Sequence, residues 1–209
     1  MKKTNLFIKR LIDIFCSGVG VIIISPIFII IALLIKLTSK GPVLFKQERI
    51  GLYGKTFVIF KFRTMVVGAE QLGDGLSINT STDNRITKIG KILRFTSFDE
   101  LPQLFNVLKG DMSLVGPRPP VTYFPYKGIN DYPDWAKNRF NMRPGVTGLA
   151  QVYVRNSVSW DERIKIDNKY IQSFNFYLDI KILLKTFYKL FKPENIYREQ
   201  QVKNNQKKA

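Results

Sequence analysis

Asp99 and Glu100 stand side by side in "TSFDELPQLFNVLKGDMSLVGPRPP", residues 96–120. Adjacent carboxylates can divide a reaction between them. One can attack an electrophilic centre as a nucleophile, and the other can hold a hard, oxygen-seeking cation. The same stretch ends on Arg118 between Pro117 and Pro119. Proline restricts both its own backbone and that of the residue before it, so the direction of the Arg118 guanidinium is confined, and a fixed fork of donors suits phosphate. Plain alternatives stand beside these readings: Asp99 as a helix cap, and Arg118 as a surface arginine in a proline-rich loop.

The rest of the composition narrows the chemistry. The 209 residues carry 33 Lys and Arg against 16 Asp and Glu, a net charge of +17, so two neighbouring acids stand out against a basic background. That charge points to a polyanionic partner: nucleic acid, an anionic membrane face or a phosphorylated substrate. There is no histidine, which excludes Ser-His, Cys-His and His-metal chemistry. The one cysteine, Cys16, lies in an apolar run, so no intrachain disulfide forms. Catalysis by this chain must use carboxylates, lysine, hydroxyls or an oxygen-bound metal. A Walker A loop, a strand followed by G-x-G-x-x-G, and a D-x-D motif are all missing.

The acids need an element to position them. Ser97 with Glu100 fits the S-x-x-E capping box, which places both acids in a helix's first turn. Pro102 instead suits a helix that begins at Asp99, because a missing N–H is harmless only in the first turn. Either way the acids sit at the positive end of a helix dipole, which lowers carboxylate pKa values and attracts phosphates. The same pattern recurs at Ser159-Trp160-Asp161-Glu162, where no chemistry is assigned.

From Ile14 to Ile35 the chain runs 22 residues without a charge. As a straight helix this reaches roughly 33 Å, enough to cross a bilayer core. Ser25-Pro26 near its centre predicts a kink, with the Ser25 hydroxyl serving a freed carbonyl. Lys2, Lys3, Lys9 and Arg10 precede the run, and Lys36, Lys40 and Lys46 follow it. The positive-inside rule therefore assigns both ends to the cytoplasm, and a re-entrant hairpin of two half-helices satisfies it. A kinked single span is the alternative; a signal peptide is disfavoured by the length of the run.

Beyond the run, residues 43–63 read as a β-hairpin with Gly51 and Gly54 at the turn, and residues 64–82 as a loop. "DNRITKIGKILRF" (83–95) predicts a short helix with Ile86, Ile89, Ile92 and Leu93 on one face. "DIKILLKTFYKLFK" (179–192) places Ile180, Leu183, Leu184, Phe187 and Phe191 on one stripe and Lys181, Lys185, Lys189 and Lys192 on another. Such a helix lies on an anionic membrane surface or packs as a core helix with a solvated lysine face. The expected organisation is a membrane hairpin over 1–40, a catalytic body over 41–192 and a disordered basic tail over 193–209. The fold class is α+β, mainly helical.

"KFRTM" (61–65), the 96–119 stretch and "RPGVTGLAQV" (143–152), in this order, resemble the bacterial sugar transferases, the monotopic polyprenyl-phosphate phosphoglycosyl transferases. The resemblance runs from the apolar segment to "LDIKILLKT" (178–186). It implies a re-entrant hairpin broken at Ser25-Pro26 and a catalytic domain on the cytoplasmic face of the inner membrane. It further implies Asp99 as nucleophile, Glu100 as a magnesium (Mg2+) ligand with Asp99 beside it, and Arg94 and Arg118 as phosphate-binding residues. The implied reaction moves a phosphosugar from a UDP-sugar to polyprenyl phosphate, with UMP released. Which sugar, and whether the chain forms a homo-oligomer, stay open. Rival readings are a membrane-anchored nucleic-acid binder, which leaves "DELPQL" and "GPRPP" without a role, and a non-catalytic scaffold of the same fold.

Overall fold

A computed structural model describes residues 3–72, 83–154 and 157–191. The expected disordered tail, 193–209, and part of the expected loop, 73–82, lie outside the described residues. Helix α1 is Lys3–Thr38, a single α-helix with Pro26 inside it. Proline removes the donor that would reach the carbonyl four residues earlier, that of Ile22. The Ser25 hydroxyl donates to that carbonyl at 2.8 Å. The predicted two half-helices are thus met in one respect: the hydrogen-bond ladder is broken at Pro26 and repaired by Ser25, within what remains one helix.

The hairpin forms as the sequence predicts. Strands β1 (Leu44–Ile50) and β2 (Thr56–Phe62) pair antiparallel, Leu44 opposite Phe62 and Ile50 opposite Thr56. The turn between them runs from Gly51 to Gly54, and Gly54 takes the positive φ of 76° that its closure requires. Helix α2 (Lys88–Thr96) starts where Thr87 accepts from the Gly90 N–H through its side chain. Its face differs from the predicted one. Leu93 is buried against Ile31, Ile35 and Phe62, but Ile86 precedes the helix and Ile92 is 59% exposed. The helix begins later than 83 because Thr87 is its cap; Ile86 is buried ahead of it, and of the predicted face Ile92 points outward.

Helix α3 (Gln103–Lys109) follows the acidic pair, and Gly110 ends it with a φ of 101°. Strand β3 (Ser113–Val115), helix α4 (Asp134–Lys137), strand β4 (Gly145–Thr147) and helix α5 (Leu149–Tyr153) come next. Strands β3 and β4 pair in parallel. Helices α6 (Trp160–Gln172) and α7 (Phe176–Phe191) complete the described chain. Val115, Met142, Val152, Tyr170, Ile171 and Ile182 form one core cluster among these elements. On α7, Ile182 and Asp179 face inward, whereas Ile180, Leu184 and Phe187 are exposed. The apolar stripe therefore faces away from the core, which removes the core-helix alternative for it. The Phe191 and Lys192 side chains lie outside the described residues.

Helix α1 packs on this body at both of its ends. Near its start, Lys9 pairs with Asp179 at 2.6 Å and Arg10 donates to the Val107 and Leu108 carbonyls that end α3. Asp13 accepts from the Ser113 hydroxyl and the Leu114 N–H. Near its end, Ile31 and Ile35 are buried against Phe62 and Leu93. Its outer face is bare: Phe15 is 72% exposed and Ile22 74%. A core helix of a water-soluble protein would not leave that face open.

One side chain joins α3 to the hairpin. Asn106 is fully buried; its Oδ1 accepts from the Phe60 N–H and its Nδ2 donates to the Val58 carbonyl, so it continues the ladder along the open side of β2. Asn106→Ala would leave both backbone groups unpaired, at about 1–3 kcal/mol each. For a chain of this size that corresponds to a fall of roughly 5–15 °C in thermal midpoint. A midpoint unchanged within about 2 °C in a detergent-solubilised melt would show that Asn106 does not hold α3 to β2.

Candidate active site

The turn that presents the acids is built differently from the capping-box expectation. Helix α2 ends at Ser97, whose φ of 60° is left-handed, an uncommon state for a residue with a side chain. The Ser97 side chain makes no cap bond; its carbonyl accepts from the Glu100 N–H instead. Phe98–Glu100 form a 3-10 turn, Leu101 and Pro102 stay right-handed, and α3 then begins at Gln103. The acids therefore sit one turn ahead of an α-helix rather than in its first turn. The left-handed corner reverses the chain, so that Arg94 at the end of α2 and Asp99 line the same cavity. The true capping box is the other one: Ser159 accepts from the Glu162 N–H, and Glu162 accepts from the Ser159 N–H.

The cavity encloses about 920 Å³. Its lining includes all four residues singled out from the sequence, Arg94, Asp99, Glu100 and Arg118, together with Lys61 and Arg49. Glu100 is paired with Lys61 on β2 and lies 3.7 Å from the Arg118 guanidinium. Arg94 donates to the Thr64 hydroxyl at 2.8 Å. Among the described residues, no cation lies within ion-pair distance of the Asp99 carboxylate. Burial pushes the Asp99 pKa up to about 6, and the Glu100 charge adds to the rise, while Lys61, Arg94 and Arg118 pull against it. This corrects the expectation of a lowered value. At this half-buried position desolvation outweighs both the helix end and three nearby cations.

Arg118 stands on a loop fastened at successive residues. Arg49 donates to the Pro119 carbonyl, the Ile50 N–H to the Pro120 carbonyl, and the buried Arg139 to the Arg118 carbonyl. Burial and the adjacent Arg118 hold the Arg49 pKa down at about 10. Lys61 and Arg49 are the site residues that sequence reasoning missed. Lys61 carries a usable signal, a cation inside the mainly apolar strand TFVIFKF, where the pleat has to send it to one face or the other; Arg49 lies in the polar strand LFKQERI and carries none. Ser25 and Pro26 take no part in the site; they shape α1.

Magnesium takes near-octahedral oxygen ligands and is held by one or two carboxylates plus substrate phosphates. Asp99 and Glu100 fit such a donor set, with Lys61 and Arg118 having to share Glu100 with the ion. Among the described residues no cluster of three or more acidic, histidine or cysteine side chains offers an all-protein cage, so a cation here would depend on the phosphates of a ligand. The arrangement suits an anionic, phosphate-bearing substrate: an unpaired carboxylate of raised basicity, with guanidinium and ammonium groups around it.

Comparison with known proteins agrees with this geometry. The family model described as bacterial sugar transferase matches residues 4–193. The UDP-glucose:undecaprenyl-phosphate glucose-1-phosphate transferase of Klebsiella pneumoniae is 42% identical over 201 residues, covering 92% of this chain and 42% of that protein. The UDP-N-acetylgalactosamine-undecaprenyl-phosphate N-acetylgalactosaminephosphotransferase of Aeromonas hydrophila is 43% identical over 183 residues, 86% of this chain and 43% of that protein. This chain spans about two-fifths of the length of both. The uncharacterized sugar transferase EpsL of Bacillus subtilis is 39% identical over 198 residues, with 94% of each chain covered. With residues 4–193 matched by the family model, the chain belongs to the bacterial sugar transferase family.

Proposed function

We propose that this protein transfers a sugar phosphate from a UDP-sugar to a polyprenyl phosphate at a membrane surface. The observation that carries the reading is Asp99: a carboxylate with no ion pair among the described residues, near Lys61, Arg94 and Arg118, in a cavity of about 920 Å³. In the first step an Asp99 oxygen attacks the β-phosphorus, the bond to the α-phosphate oxygen breaks, and UMP leaves with that electron pair. A phosphosugar-aspartyl intermediate remains. In the second step an oxygen of the polyprenyl phosphate attacks the same phosphorus and displaces Asp99, giving a polyprenyl diphosphate-linked sugar. Arg118 and Arg94 hold the diphosphate and offset its charge, and Lys61 keeps Glu100 turned toward the site. Magnesium bound by Glu100 and Asp99 would neutralise the phosphate oxygens. The relatives' names differ in the sugar at nearly equal identity, so the sugar is not chosen by them.

The position of α1 supports a monotopic attachment in which the helix enters and leaves the membrane on one face. Lys9 and Ile35 are about 39 Å apart along a straight helix, more than the roughly 30 Å of a hydrocarbon core. A crossing helix would leave its ends on opposite sides. Here both ends pack on one body, through Asp179 at one and Phe62 and Leu93 at the other. The exposed apolar faces of α1 and α7 would then meet lipid, with the basic face of α7 toward anionic headgroups. Single cysteines placed at residues 5 and 40, in a Cys16→Ser background, should label from the same side of sealed vesicles. Labelling from opposite sides would rule out this topology.

The covalent step separates this mechanism from direct attack by the lipid. Given a UDP-sugar that it turns over but no polyprenyl phosphate, the protein should release about one UMP per site and gain the mass of one phosphosugar. Asp99→Asn should lose both signals while keeping its thermal midpoint. EDTA should suppress the burst and magnesium restore it. UMP release that appears only with lipid present, with no adduct trapped, would exclude Asp99 as a covalent nucleophile.

The pH dependence follows from the same carboxylate. Only ionised Asp99 can attack, and its free-protein pKa is raised to about 6. The profile of kcat/KM for the UDP-sugar, which reports the free enzyme, should therefore fall tenfold per unit below about pH 6. Saturating magnesium, by favouring the charged form, should move that limb to lower pH. A flat profile down to pH 4.5 would contradict an ionised Asp99 as the attacking group.

A further inference from the structure

The Arg118 carbonyl is held by one buried ion pair. Arg139 donates to the Arg118 carbonyl at 2.6 Å and to Asp167 at 2.9 Å. The Arg139 and Asp167 side chains are 1% and 2% exposed. The Arg139 guanidinium lies 5.8 Å from the ring centres of both Phe140 and Trp160, which fixes its plane. Neither group pairs with the acids, although Asp167 forms part of the cavity wall; Arg139 bonds to Asp167 and to the Arg118 carbonyl.

We propose that Arg139 and Asp167 are positioning residues that set where the Arg118 guanidinium stands in the cavity. An arginine side chain has many rotamers, so a phosphate ligand built on it is only as exact as the backbone it starts from. Here that backbone is fastened at the Arg118 carbonyl and, through Arg49 and Ile50, at the next two carbonyls. Displacing a substrate-binding group by about 1 Å can cost two orders of magnitude in rate. A buried ion pair adds little net stability compared with apolar residues of similar volume. What the pair supplies is a fixed point for the loop, and through it for one charge. The inference rests on the reading of Arg118 as a ligand of the diphosphate.

The test uses the full-length protein and UDP, the part common to all candidate donors, with affinity measured by calorimetry. Arg118→Ala should weaken UDP binding at least tenfold. The double variant Arg139→Met/Asp167→Leu replaces the pair by apolar volume and should keep the thermal midpoint within a few degrees, yet weaken UDP binding by a similar factor. Added to Arg118→Ala, it should cause no further loss, because the group it positions is already gone. Arg139→Lys keeps the charge opposite Asp167 but lacks the fork, so it should fold and bind several-fold more weakly; it serves if the double variant fails to fold. Wild-type affinity in either variant, or an equal further loss in the Arg118→Ala background, would overturn the positioning role while leaving Arg118 a ligand. Undiminished binding by Arg118→Ala, or no UDP binding by the unaltered protein, would overturn this inference together with the reading of the site on which it rests.

Discussion

A carboxylate and a diphosphate repel one another, and the proposed reaction has to bring them together. Two unit charges 4 Å apart interact by about 1 kcal/mol in water and about 4 kcal/mol near a protein surface, so the half-burial of Asp99 strengthens the repulsion that the proposed attack would have to overcome. The protein meets this with fixed cations rather than solvent. Lys61 comes from the hairpin, Arg94 from the end of α2 and Arg118 from the loop after β3, while Arg49 stands behind Arg118. Their joint pull on Asp99 falls short of the cost of burial, and its pKa stays near 6. That balance leaves the carboxylate ionised at neutral pH and more basic than an exposed aspartate, as the proposed attack would require.

The membrane helix and the chemistry share one wall. Gly18 and Gly20 of α1 face Leu108 and Leu104 of α3, and Phe28 packs edge-on to Phe105 with ring centres 5.6 Å apart. Helix α3 begins three residues after Glu100, and Phe28 also touches Phe62, next to Lys61 in β2. The apolar helix is thus one layer of side chains from the acids. For the proposed transfer this proximity has a purpose, because the second substrate carries its phosphate on a chain that stays in the lipid.

Local elements were legible in the sequence, and the convergence of the site was not. The hairpin with its Gly51–Gly54 turn, the caps of α6 and the role of Ser25 beside Pro26 follow from short-range rules, and the structure agrees with them. The Ser97 capping box failed because two candidate boxes obey one rule, and only tertiary packing decides which serine takes a left-handed φ and which caps a helix. Ile92 differs from the predicted face because the contact with α1 and β2 takes up only Ile89 and Leu93, a width of apolar face that tertiary packing decides. Among the site residues, Asp99, Glu100, Arg94 and Arg118 lie close together in the chain. Lys61 and Arg49 come from the hairpin and Arg139 and Asp167 from two later segments, and the contacts that tie them to the 94–120 region and to each other exist only after folding.

Two buried ion pairs sit at the joints of this molecule, and their placement is informative because they are costly. Lys9–Asp179, with Tyr170 donating to the same carboxylate at 2.6 Å, ties α1 to α7. Arg139–Asp167 ties α6 to the Arg118 loop. Burial raises the pKa of both aspartates against the pull of their partners, a sign that desolvation is incompletely repaid. Apolar packing alone could hold these surfaces together, but it tolerates sliding, whereas a charge pair is satisfied in only one register. At the first joint that register aligns the long apolar helix with the domain. At the second it aligns Arg118 with the acids. The proposed transfer, whose two substrates would arrive from different phases, needs both alignments at once.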